Sequence, residues 1–447
     1  MNANVIEGNP TKTFFIEMIT RDISIEDAII DLLDNSIDGA NRINPDDYSG
    51  LFIDIKISEK EFCIIDNCGG FSLDTAQKYA FRFGRPEDAP NVNNAVGRFG
   101  IGMKRSLFKI GKLFAVESET ESDHFKVEVD VDEWGRKTKT ISVDGKSKQV
   151  DDWSFSYSLI DNSTGIHGTK ILVSKLNNEV KALFSDDRFL LDLSNDIQKL
   201  LNFSLHKGIK ITLNGRELSG KKIELLYLDD SKPYYADGDL GGVKYRLIAG
   251  LGEIGDPKSS GWYIYCNNRL VLDADTSALT GWDYRPLIPK WHVDFVMFRG
   301  LLFLDSEETL NLPLTTTKKG IDATSEVYKT ILPLMRSAMV SVLEFLKRIP
   351  QMGDNANGYR QMLCEKYERR TAVELKQMQF EHAQKHFETP QLDLDCIAQM
   401  RDIVRIAFDA KKDAASAAKS HAGVRSFKEL GSVLFDYYMR MEDIDYE

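Results

Sequence analysis

The sequence predicts an α+β protein whose first region is a sandwich of helices on a sheet. Residues 24–43 place apolar side chains on one side at helical spacing, as an amphipathic helix does. Residues 51–58 alternate apolar and polar side chains, which is typical of a half-buried strand. Strand-like runs then follow one another from 112 to 174. A helix, strands, further helices and a strand meander together favour the α+β class.

Composition excludes several classes of protein. The chain has 447 residues, and at ~100–200 residues per domain this length predicts about two to four domains. Hydrophobic residues make up 42% and charged residues 28%, which is ordinary globular usage and excludes a fibrous or disordered chain. Lys and Arg number 57 and Asp and Glu number 69, so the formal net charge is −12. Such a chain is not a general nucleic-acid wrapper, and contact with phosphate needs a local basic patch or a bound nucleotide with its metal.

The expected compartment is reducing and cytoplasmic. The five cysteines are too few and too scattered for a disulfide framework, and they lack the spacing of a zinc site. They are Cys63, Cys68, Cys266, Cys364 and Cys396. Residues 1–12 contain no apolar stretch, so no signal peptide is expected. The best membrane candidate, 331–346, contains Arg336 and Glu344, so no membrane span is expected.

Three domains are predicted, at 1–180, 181–349 and 350–447. The first is expected to hold a helix at 24–43 capped by Ser24, a short helix at 72–82, a loop over 84–102 and a helix at 103–110 ending at Gly111. Its strands are expected at 51–58, 61–65, 112–118, 124–131, 139–143, 154–160 and 168–174. After a helix near 187–205, strands are expected near 208–213, 242–250, 261–272 and 293–304, followed by a helix at 323–349. Residues 359–440 are expected to be helical and charged, with almost no strand pattern.

The acidic side of the first helix has two interpretations. It carries Asp27, Asp31, Asp34, Asn35 and Asp38. Most charged helix faces are solvated surface, and that is the first interpretation. The second is a site for a metal and a water, because Asp31 and Asn35 are four residues apart and stack on one face. A carboxylate beside a neutral amide oxygen suits Mg²⁺ and a base that activates water.

The glycines around the start of the next helix also have two interpretations. Gly97, Gly100 and Gly102 have the spacing G-x-x-G-x-G. This is not the dinucleotide pattern, which needs glycine where Arg105 stands, nor the Walker pattern, since Thr140 stands five residues before the Gly-Lys-Ser at 145–147. The segment is either a flexible loop or a phosphate cradle at a helix N-terminus.

Four ordered motifs resemble the Bergerat ATP-binding fold of the GHKL superfamily, which includes gyrase B subunits, ninety-kilodalton heat-shock chaperones, histidine kinases, MutL and MORC proteins. The motifs are DLLDNSIDGA (31–40), DNCGG (66–70), GRFGIGMKRSLFKIG (97–111) and HGTKILV (167–173). The third resembles the MORC form, in which a lysine follows the glycines. The resemblance implies an ATP-binding domain with a Bergerat-type α/β sandwich.

The resemblance also implies a role for each motif residue. Asp66 would accept a hydrogen bond from the adenine amino group, within a box that includes Gly70. Thr169 would support Asp66 and a water on the adenine. Asn35 would ligate Mg²⁺ bridging the phosphates. The three glycines would wrap the phosphates, with 84–102 as a lid, and Lys104 would add positive charge there. The other interpretation of Lys104 is a solvent-facing helix residue.

A second domain resembles the transducer, or S5-like, domain of MORC, MutL and gyrase B chains. The similar segments are WYIYCNNRLVL (262–272), FRGLLFLD (298–305) and LPLTTTKKGID (312–322). In that family a lysine of this domain reaches the terminal phosphate of ATP. Lys318 fits this role best and Lys319 is the alternative, although the turn could also be a polar loop. No family resemblance covers the helical region from 350 onward.

Two positions depart from the family pattern. Asp31 stands where the family usually has a glutamate base, and a side chain shorter by one methylene, ~1.5 Å, predicts slow turnover. Cys68 stands where glycine is usual, so a positive φ there would be strained. Cys68 is expected to be a packing residue rather than a reactive thiol.

The sequence therefore predicts a MORC-like, slowly hydrolysing ATPase that acts as a nucleotide-gated switch or dimer clamp. A DNA or protein partner is expected at 350–447. The alternatives are a nucleotide sensor that does not hydrolyse ATP, a histidine kinase and a chaperone. The kinase is disfavoured because the ATP motifs begin the chain, and the chaperone because the chain is short for a client-binding middle region.

Overall fold

The computed structural model describes residues 8, 10–84, 101–143, 146–227, 231–254, 257–315, 318–380, 385–390 and 409–442. Contacts divide the chain into two compact units, Met1–Leu392 and Asp393–Glu447. The first unit contains every described residue of the predicted site. The predicted domain boundaries at 180/181 and 349/350 stay predictions.

The first region is built on a large sheet preceded and interrupted by helices. Its strands are β1 (Phe52–Ile57), β2 (Glu61–Asp66), β3 (Gly111–Glu119), β4 (His124–Asp130), β5 (Thr138–Val143), β6 (Lys146–Asp151), β7 (Tyr157–Leu159), β8 (Gly168–Leu176), β9 (Lys210–Leu213) and β10 (Arg216–Leu218). Among the described residues, eight of these form one sheet in the order β10-β9-β1-β2-β8-β3-β4-β7, and β5 and β6 form a separate hairpin. The pairs β1–β2, β2–β8 and β3–β8 are antiparallel, and β1–β9 is parallel.

Helices cover this sheet and complete its core. They are α1 (Lys12–Arg21), α2 (Ile25–Ile43), α3 (Leu73–Thr75), a π-helix (Ala76–Ala80), α4 (Gly102–Ile110), α5 (Val131–Arg136), α6 (Asn178–Phe184), α7 (Asp187–Leu200) and α8 (Asn202–His206). Helix α2 begins as expected, because the Ser24 hydroxyl accepts a hydrogen bond from Asp27 N at 3.1 Å. Its Ile29 and Leu33 share a core cluster with Ile55 of β1 and Phe114 of β3. The α+β class predicted for this region is confirmed.

The second region of the first unit has its own sheet. Its elements are β11 (Glu224–Tyr227), β12 (Tyr234–Leu240), β13 (Val243–Leu251), β14 (Gly261–Cys266), β15 (Arg269–Asp275), β16 (Phe298–Asp305) and helix α9 (Glu326–Leu346), with 3₁₀ turns at Pro257–Ser259, Ala278–Thr280, Val293–Phe295, Thr309–Asn311 and Pro350–Asn355. Among the described residues the sheet order is β12-β13-β16-β14-β15. Helix α9 packs against β12, β13 and β16.

The segment after 350 corrects the expectation of almost no strand. Helix α10 (Ala356–Lys366) is followed by β17 (Glu368–Thr371) and α11 (Ala372–Gln377). Strand β17 pairs with β11 in an antiparallel register that places Leu226 opposite Arg369. In α11, Ala372 and Leu375 share a hydrophobic cluster with Leu225. The pattern was missed because β17, with sequence ERRT, has no apolar residue to alternate with its polar ones.

Two further element predictions are wrong in detail. The strand expected to reach residue 131 ends at Asp130, because the Asp130 carboxylate caps α5 by accepting from the backbone N–H groups of Asp132 and Glu133. The single strand expected over 261–272 is the hairpin β14–β15. Its turn uses Asn267 and Asn268 at φ 47° and 66°, a conformation that asparagine tolerates better than most residues.

The second unit contains two described helices, Lys412–His421 and Phe427–Met441. Ser426 caps the later one by accepting from Glu429 N at 3.1 Å. In the part of the chain that the structure describes, no helix is long and apolar enough to cross a membrane.

Candidate active site

The predicted adenine-reading residue, Asp66, is a buried carboxylate at the end of β2. Its Oδ2 accepts from Ser36 Oγ of α2 at 2.7 Å, and its Oδ1 accepts from the backbone N–H groups of Cys68 at 2.9 Å and Thr169 at 3.1 Å. Burial raises the pKa of Asp66, and these hydrogen bonds oppose that rise. A carboxylate offers about four acceptor positions, so these bonds leave room for one more donor. Three of the predicted motifs therefore meet at Asp66.

The turn after β2 needs glycine at two positions. Gly69 and Gly70 have φ angles of 83° and 59°, a backbone conformation that residues with a side chain rarely adopt. A Cβ on Gly70 would lie 2.5 Å from the Glu119 carbonyl oxygen, and one on Gly168 would lie 1.9 Å from the Asp66 carbonyl oxygen. Cys68 is not at positive φ, so the strain expected at this departure is absent. It is buried, and burial raises the pKa of its thiol, as befits a packing residue.

The acidic side of α2 is not a solvated surface. Asp31, Asp34 and Asp38 are 3%, 1% and 8% exposed. A buried carboxylate needs a cation or hydrogen-bond donors to stay charged. The solvated interpretation is therefore wrong for these three residues, and cations paired with Asp31 and Asp34 explain why those two can be buried.

Lys318 lies between two of these carboxylates. Its Nζ is 3.2 Å from Asp31 Oδ1 and 3.0 Å from Asp34 Oδ2, and the residue is 6% exposed. Burial lowers the pKa of Lys318, but Asp34 and Asp31 outweigh burial and raise it, so the ammonium stays charged. Its backbone has φ 57°, an uncommon conformation for a residue with a side chain. Lys318 is the predicted lysine of the second region, and it reaches α2 in the first.

Asp31 is held from a second side by Arg105 of α4. Arg105 Nη2 donates to Asp31 Oδ2 at 2.5 Å, and both side chains are almost fully buried. Burial opposes the charge on Asp31. Lys318 and Arg105 more than compensate, and they lower the pKa of Asp31 below its ordinary value. Asp31 is therefore a carboxylate with a cation on each oxygen.

Two more cations of the second region contact α2, and sequence reasoning missed one of them. Arg269 of β15 places Nη1 2.9 Å from Asp34 Oδ2, with both side chains buried. Lys319, the alternative to Lys318, forms an ion pair with Asp27 instead. No sequence motif marks Arg269, although it lies inside the segment 262–272 that resembles the transducer domain.

Lys104 is not the solvent-facing residue of the second interpretation. It is 2% exposed, and its Nζ donates to the Ala80 carbonyl oxygen at 2.7 Å. The ammonium also lies 5.8 Å from the centre of the Phe83 ring. Burial lowers the pKa of Lys104 to about 7. Its predicted contact with phosphate stays a prediction.

The remaining predicted residues are placed as follows. Asn35 is exposed on α2, so its side-chain amide is accessible to a ligand. Mg²⁺ is commonly held by one or two protein groups together with phosphates and waters, so a single amide is sufficient as the protein's contribution. No group of three His, Cys, Asp or Glu residues within the described ranges could hold a metal by itself. Gly102 begins α4, and a Cβ there would lie 3.6 Å from Asp31 Oδ2. Gly97 and Gly100 lie outside the described residues.

One open cavity of about 510 Å³ lies away from these groups. It is lined by Glu59, Lys60, Lys175, Leu176, Lys181, Ala182 and Ser185. None of them is a predicted site residue. The convergence of buried charges, rather than this cavity, therefore identifies the candidate site.

The large sheet, helix α2 and the buried Asp66 belong to one α+β region of the first unit. Residues 23–169 match the family model described as histidine kinase-, DNA gyrase B-, and HSP90-like ATPase. The match supports the GHKL superfamily for this part of the chain, and with it ATP binding. The comparison with curated proteins found no match.

Proposed function

We propose that this chain binds ATP with Mg²⁺ and hydrolyses it slowly, and that the second region senses the terminal phosphate. The observation that carries the proposal is the buried contact of Lys318 with Asp31 and with Asp34, the latter 284 positions away in the sequence. Burying a lysine is unfavourable unless it is paired. The proposed base, Asp31, lies within the matched residues 23–169, and a paired lysine beside it is well suited to a phosphate-contacting role.

In this proposal the adenine amino group donates to Asp66, which has an acceptor position to spare. Thr169 supports Asp66 through its backbone N–H, at 3.1 Å. Gly70 is needed for the turn that carries the adenine box. Gly97, Gly100 and Gly102 wrap the phosphates and Lys104 adds positive charge. Bound Mg²⁺ would neutralise charge on the phosphate oxygens, and Asn35 would hold it.

The chemical step is attack of water on the γ-phosphorus, with cleavage of the bond from that phosphorus to the β–γ bridging oxygen. ADP leaves with the bridging oxygen, and the proton of the water passes to the phosphate product. Asp31 accepts a hydrogen bond from that water and orients it. Its lowered pKa makes it a weak base, so positioning contributes more than proton abstraction. Lys318 keeps its ion pair with Asp34, turns from Asp31 to the γ-phosphate and stabilises the charge that develops there. Slow turnover follows from a weak base on a short side chain.

The output proposed for this cycle is a MORC-like or MutL-like conformational switch that works as an ATP-dependent homodimer clamp. Domains 1–180, 181–349 and 350–447 would be the ATPase, transducer and partner-binding parts. The last would contact DNA or a protein. Lys318 and Arg269 support the coupling between the first two, because both reach α2 from the second region.

The alternative is a nucleotide sensor that does not hydrolyse ATP. It is favoured by one observation: both carboxylate oxygens of Asp31 are already paired with cations. Single-turnover phosphate release from the full chain separates the two. Release that is abolished by removing Mg²⁺, with a rate per chain that rises with protein concentration, supports the dimer-gated ATPase. Tight ATP binding without release supports the sensor.

A further inference from the structure

Neither the resemblance nor the proposed function assigns a role to Arg105. It lies three residues after Gly102, in the first turns of α4, and donates Nη2 to Asp31 Oδ2 at 2.5 Å. Its side chain is 10% exposed and that of Asp31 is 3% exposed. Removing one partner of such a buried pair leaves the other charge uncompensated. Arg105 and Asp31 are therefore dependent on each other.

The two oxygens of Asp31 are held from two elements. Arg105 approaches Oδ2 from α4, and Lys318 approaches Oδ1 from the turn after 315. The two contacts differ in kind, because a guanidinium presents its donors in a rigid plane whereas an ammonium rotates freely. Lys318 also has Asp34 as a second partner, so it can leave Asp31 without losing its charge pairing. Arg105 is the contact that stays.

Gly102 brings no side chain against Asp31 Oδ2. A Cβ on Gly102 would lie 3.6 Å from that oxygen, at ordinary van der Waals distance, and any longer side chain would extend further along it. Two of about four acceptor positions on the carboxylate are taken by Arg105 and Lys318. The others remain for a small donor such as water.

We propose that Arg105 is a positioning residue for Asp31, which fixes the direction of this short carboxylate towards the attacking water. The inference rests on the proposed function. Because the Asp31 side chain is one methylene shorter than the glutamate of the family, its carboxylate needs a more precise orientation towards the water. The rigid guanidinium of Arg105 supplies that orientation. Arg105 acts on the reaction through Asp31 and does not contact the nucleotide.

The test compares variants of the full chain in single-turnover hydrolysis and in binding of a non-hydrolysable ATP analogue. Arg105→Gln should lower the rate by about 10- to 100-fold, as expected for a group misplaced by ~1 Å, with affinity nearly unchanged. Arg105→Lys should recover part of the rate. In an Asp31→Asn background, Arg105→Gln should add less than about a twofold loss, because the two residues act as one unit.

Lys109 is the matched control. It lies one turn further along α4 and pairs with the exposed Glu179 at 3.1 Å, so Lys109→Gln removes a charge from the same helix without touching Asp31. Its rate should stay near that of the native chain. Thermal melting of every variant shows whether a lost rate reflects lost fold. If Arg105→Gln unfolds, Arg105→Lys carries the same comparison.

Each other outcome overturns the inference in a recognisable way. A faster Arg105→Gln variant would mean that Arg105 masks Asp31. Weaker analogue binding that persists with Asp31→Asn would make Arg105 a phosphate ligand, a role for which its buried Nε is available since it has no hydrogen-bond partner among the described residues. If the native chain hydrolyses ATP and Arg105→Gln matches it, this inference alone fails. If the native chain binds ATP without releasing phosphate, the proposed hydrolysis fails and the inference falls with it.

Discussion

At the scale of single residues, the candidate site consists of carboxylates whose charge is set by their neighbours. Asp66 is buried among hydrogen-bond donors, no cation of the described residues forms an ion pair with it, and burial raises its pKa. Asp31 is equally buried but has Lys318 and Arg105 on its two oxygens, and its pKa is lowered. The same residue type is thus suited to two tasks, recognition of a neutral amino group and orientation of a water.

Asp66→Asn is expected to abolish ATP binding. Asparagine offers one acceptor oxygen where Asp66 has two, and its NH₂ would face the N–H donors or the adenine amino group. Isothermal titration calorimetry should show at least a ~100-fold loss of affinity, about 2.7 kcal/mol. The variant must melt cooperatively to count. Native-like affinity in a folded variant would contradict the Bergerat interpretation of this site.

Asp31→Asn is expected to leave analogue binding within about threefold and to slow hydrolysis by ~100-fold or more. The carboxylate acts in the transition state rather than in ground-state binding. Asp31→Glu is the informative companion. Faster turnover with glutamate would mean that the native chain is a slow switch, and lost turnover would mean that the site is built around aspartate. Normal turnover in Asp31→Asn would remove Asp31 from the mechanism.

At the scale of elements, helix α2 serves two surfaces at once. Its apolar residues, such as Ile29 and Leu33, pack into the core of the first sheet. Its acidic residues pair with Lys318, Lys319 and Arg269 of the second region. Helix α4 lies beside it and supplies Arg105 and Lys104. A displacement of either helix therefore changes the charges around Asp31.

The buried Lys104 of α4 should make the free energy of unfolding of the chain depend on pH. Its pKa is lowered to about 7 in the folded chain, from 10.5, because its ammonium is buried. Between these two values the unfolded chain binds one proton more than the folded chain, so the free energy of unfolding rises with pH by up to ~1.4 kcal/mol per pH unit. Below pH 7 both states are protonated and the folded chain carries the whole penalty.

The corresponding variant is Lys104→Met. Urea unfolding at pH 7.5 and pH 8.5 should show a gain of stability with pH in the native chain that is smaller in the variant by roughly 1 kcal/mol. Lys109→Met on the same helix should behave as the native chain does, since Lys109 is paired at the surface. An unchanged slope in Lys104→Met would show that Lys104 remains charged in the folded state.

At the scale of the whole molecule, buried ion pairs join the first and second regions of the first unit. The side chains of Lys318 and Arg269 extend from the second region and form ion pairs with Asp34, and Lys318 also pairs with Asp31. Under the proposed function this contact would respond to the nucleotide, because only ATP would present a terminal phosphate to Lys318. A coupling of ~1–3 kcal/mol between two such sites is ordinary.

Lys318→Ala is expected to lower hydrolysis and to flatten the difference in compactness or dimerisation between a non-hydrolysable ATP analogue and ADP. Affinity for ADP should stay nearly unchanged, because ADP lacks the phosphate that Lys318 would contact. Small-angle scattering or analytical ultracentrifugation reads the difference. Lys319→Ala, which removes only the pair with Asp27, is the matched control. If Lys319→Ala has the effect instead, Lys319 rather than Lys318 is the lysine that senses the phosphate. If neither variant has an effect, the second region does not sense the phosphate.

The sequence predicted the elements whose patterns are local. Periodicity and the Ser24 cap placed α2, alternation placed β1, and the glycine turn after Asp66 was found where Gly69 and Gly70 adopt positive φ. It missed β17, which has no apolar alternation and exists because β11 offers unpaired backbone groups to it. It also missed α5, because the cap at Asp130 competes with strand continuation.

The sequence by itself determined which residue types were available to the site: the Asp31–Asn35 spacing, Asp66 before a glycine turn, and a lysine pair at 318–319. Only the tertiary structure decided which of those charges meet. It buried three aspartates of α2 and paired Lys318 with two of them, Asp31 and Asp34. It also brought in Arg105 and Arg269, to which the motifs assign no role. The physical reason is the sequence separation over which the interactions act. Helix and strand patterns arise from residues a few positions apart. Burial of a charge depends on what packs over it, and here Arg105 is 74 positions from Asp31 and Lys318 is 284 positions from Asp34.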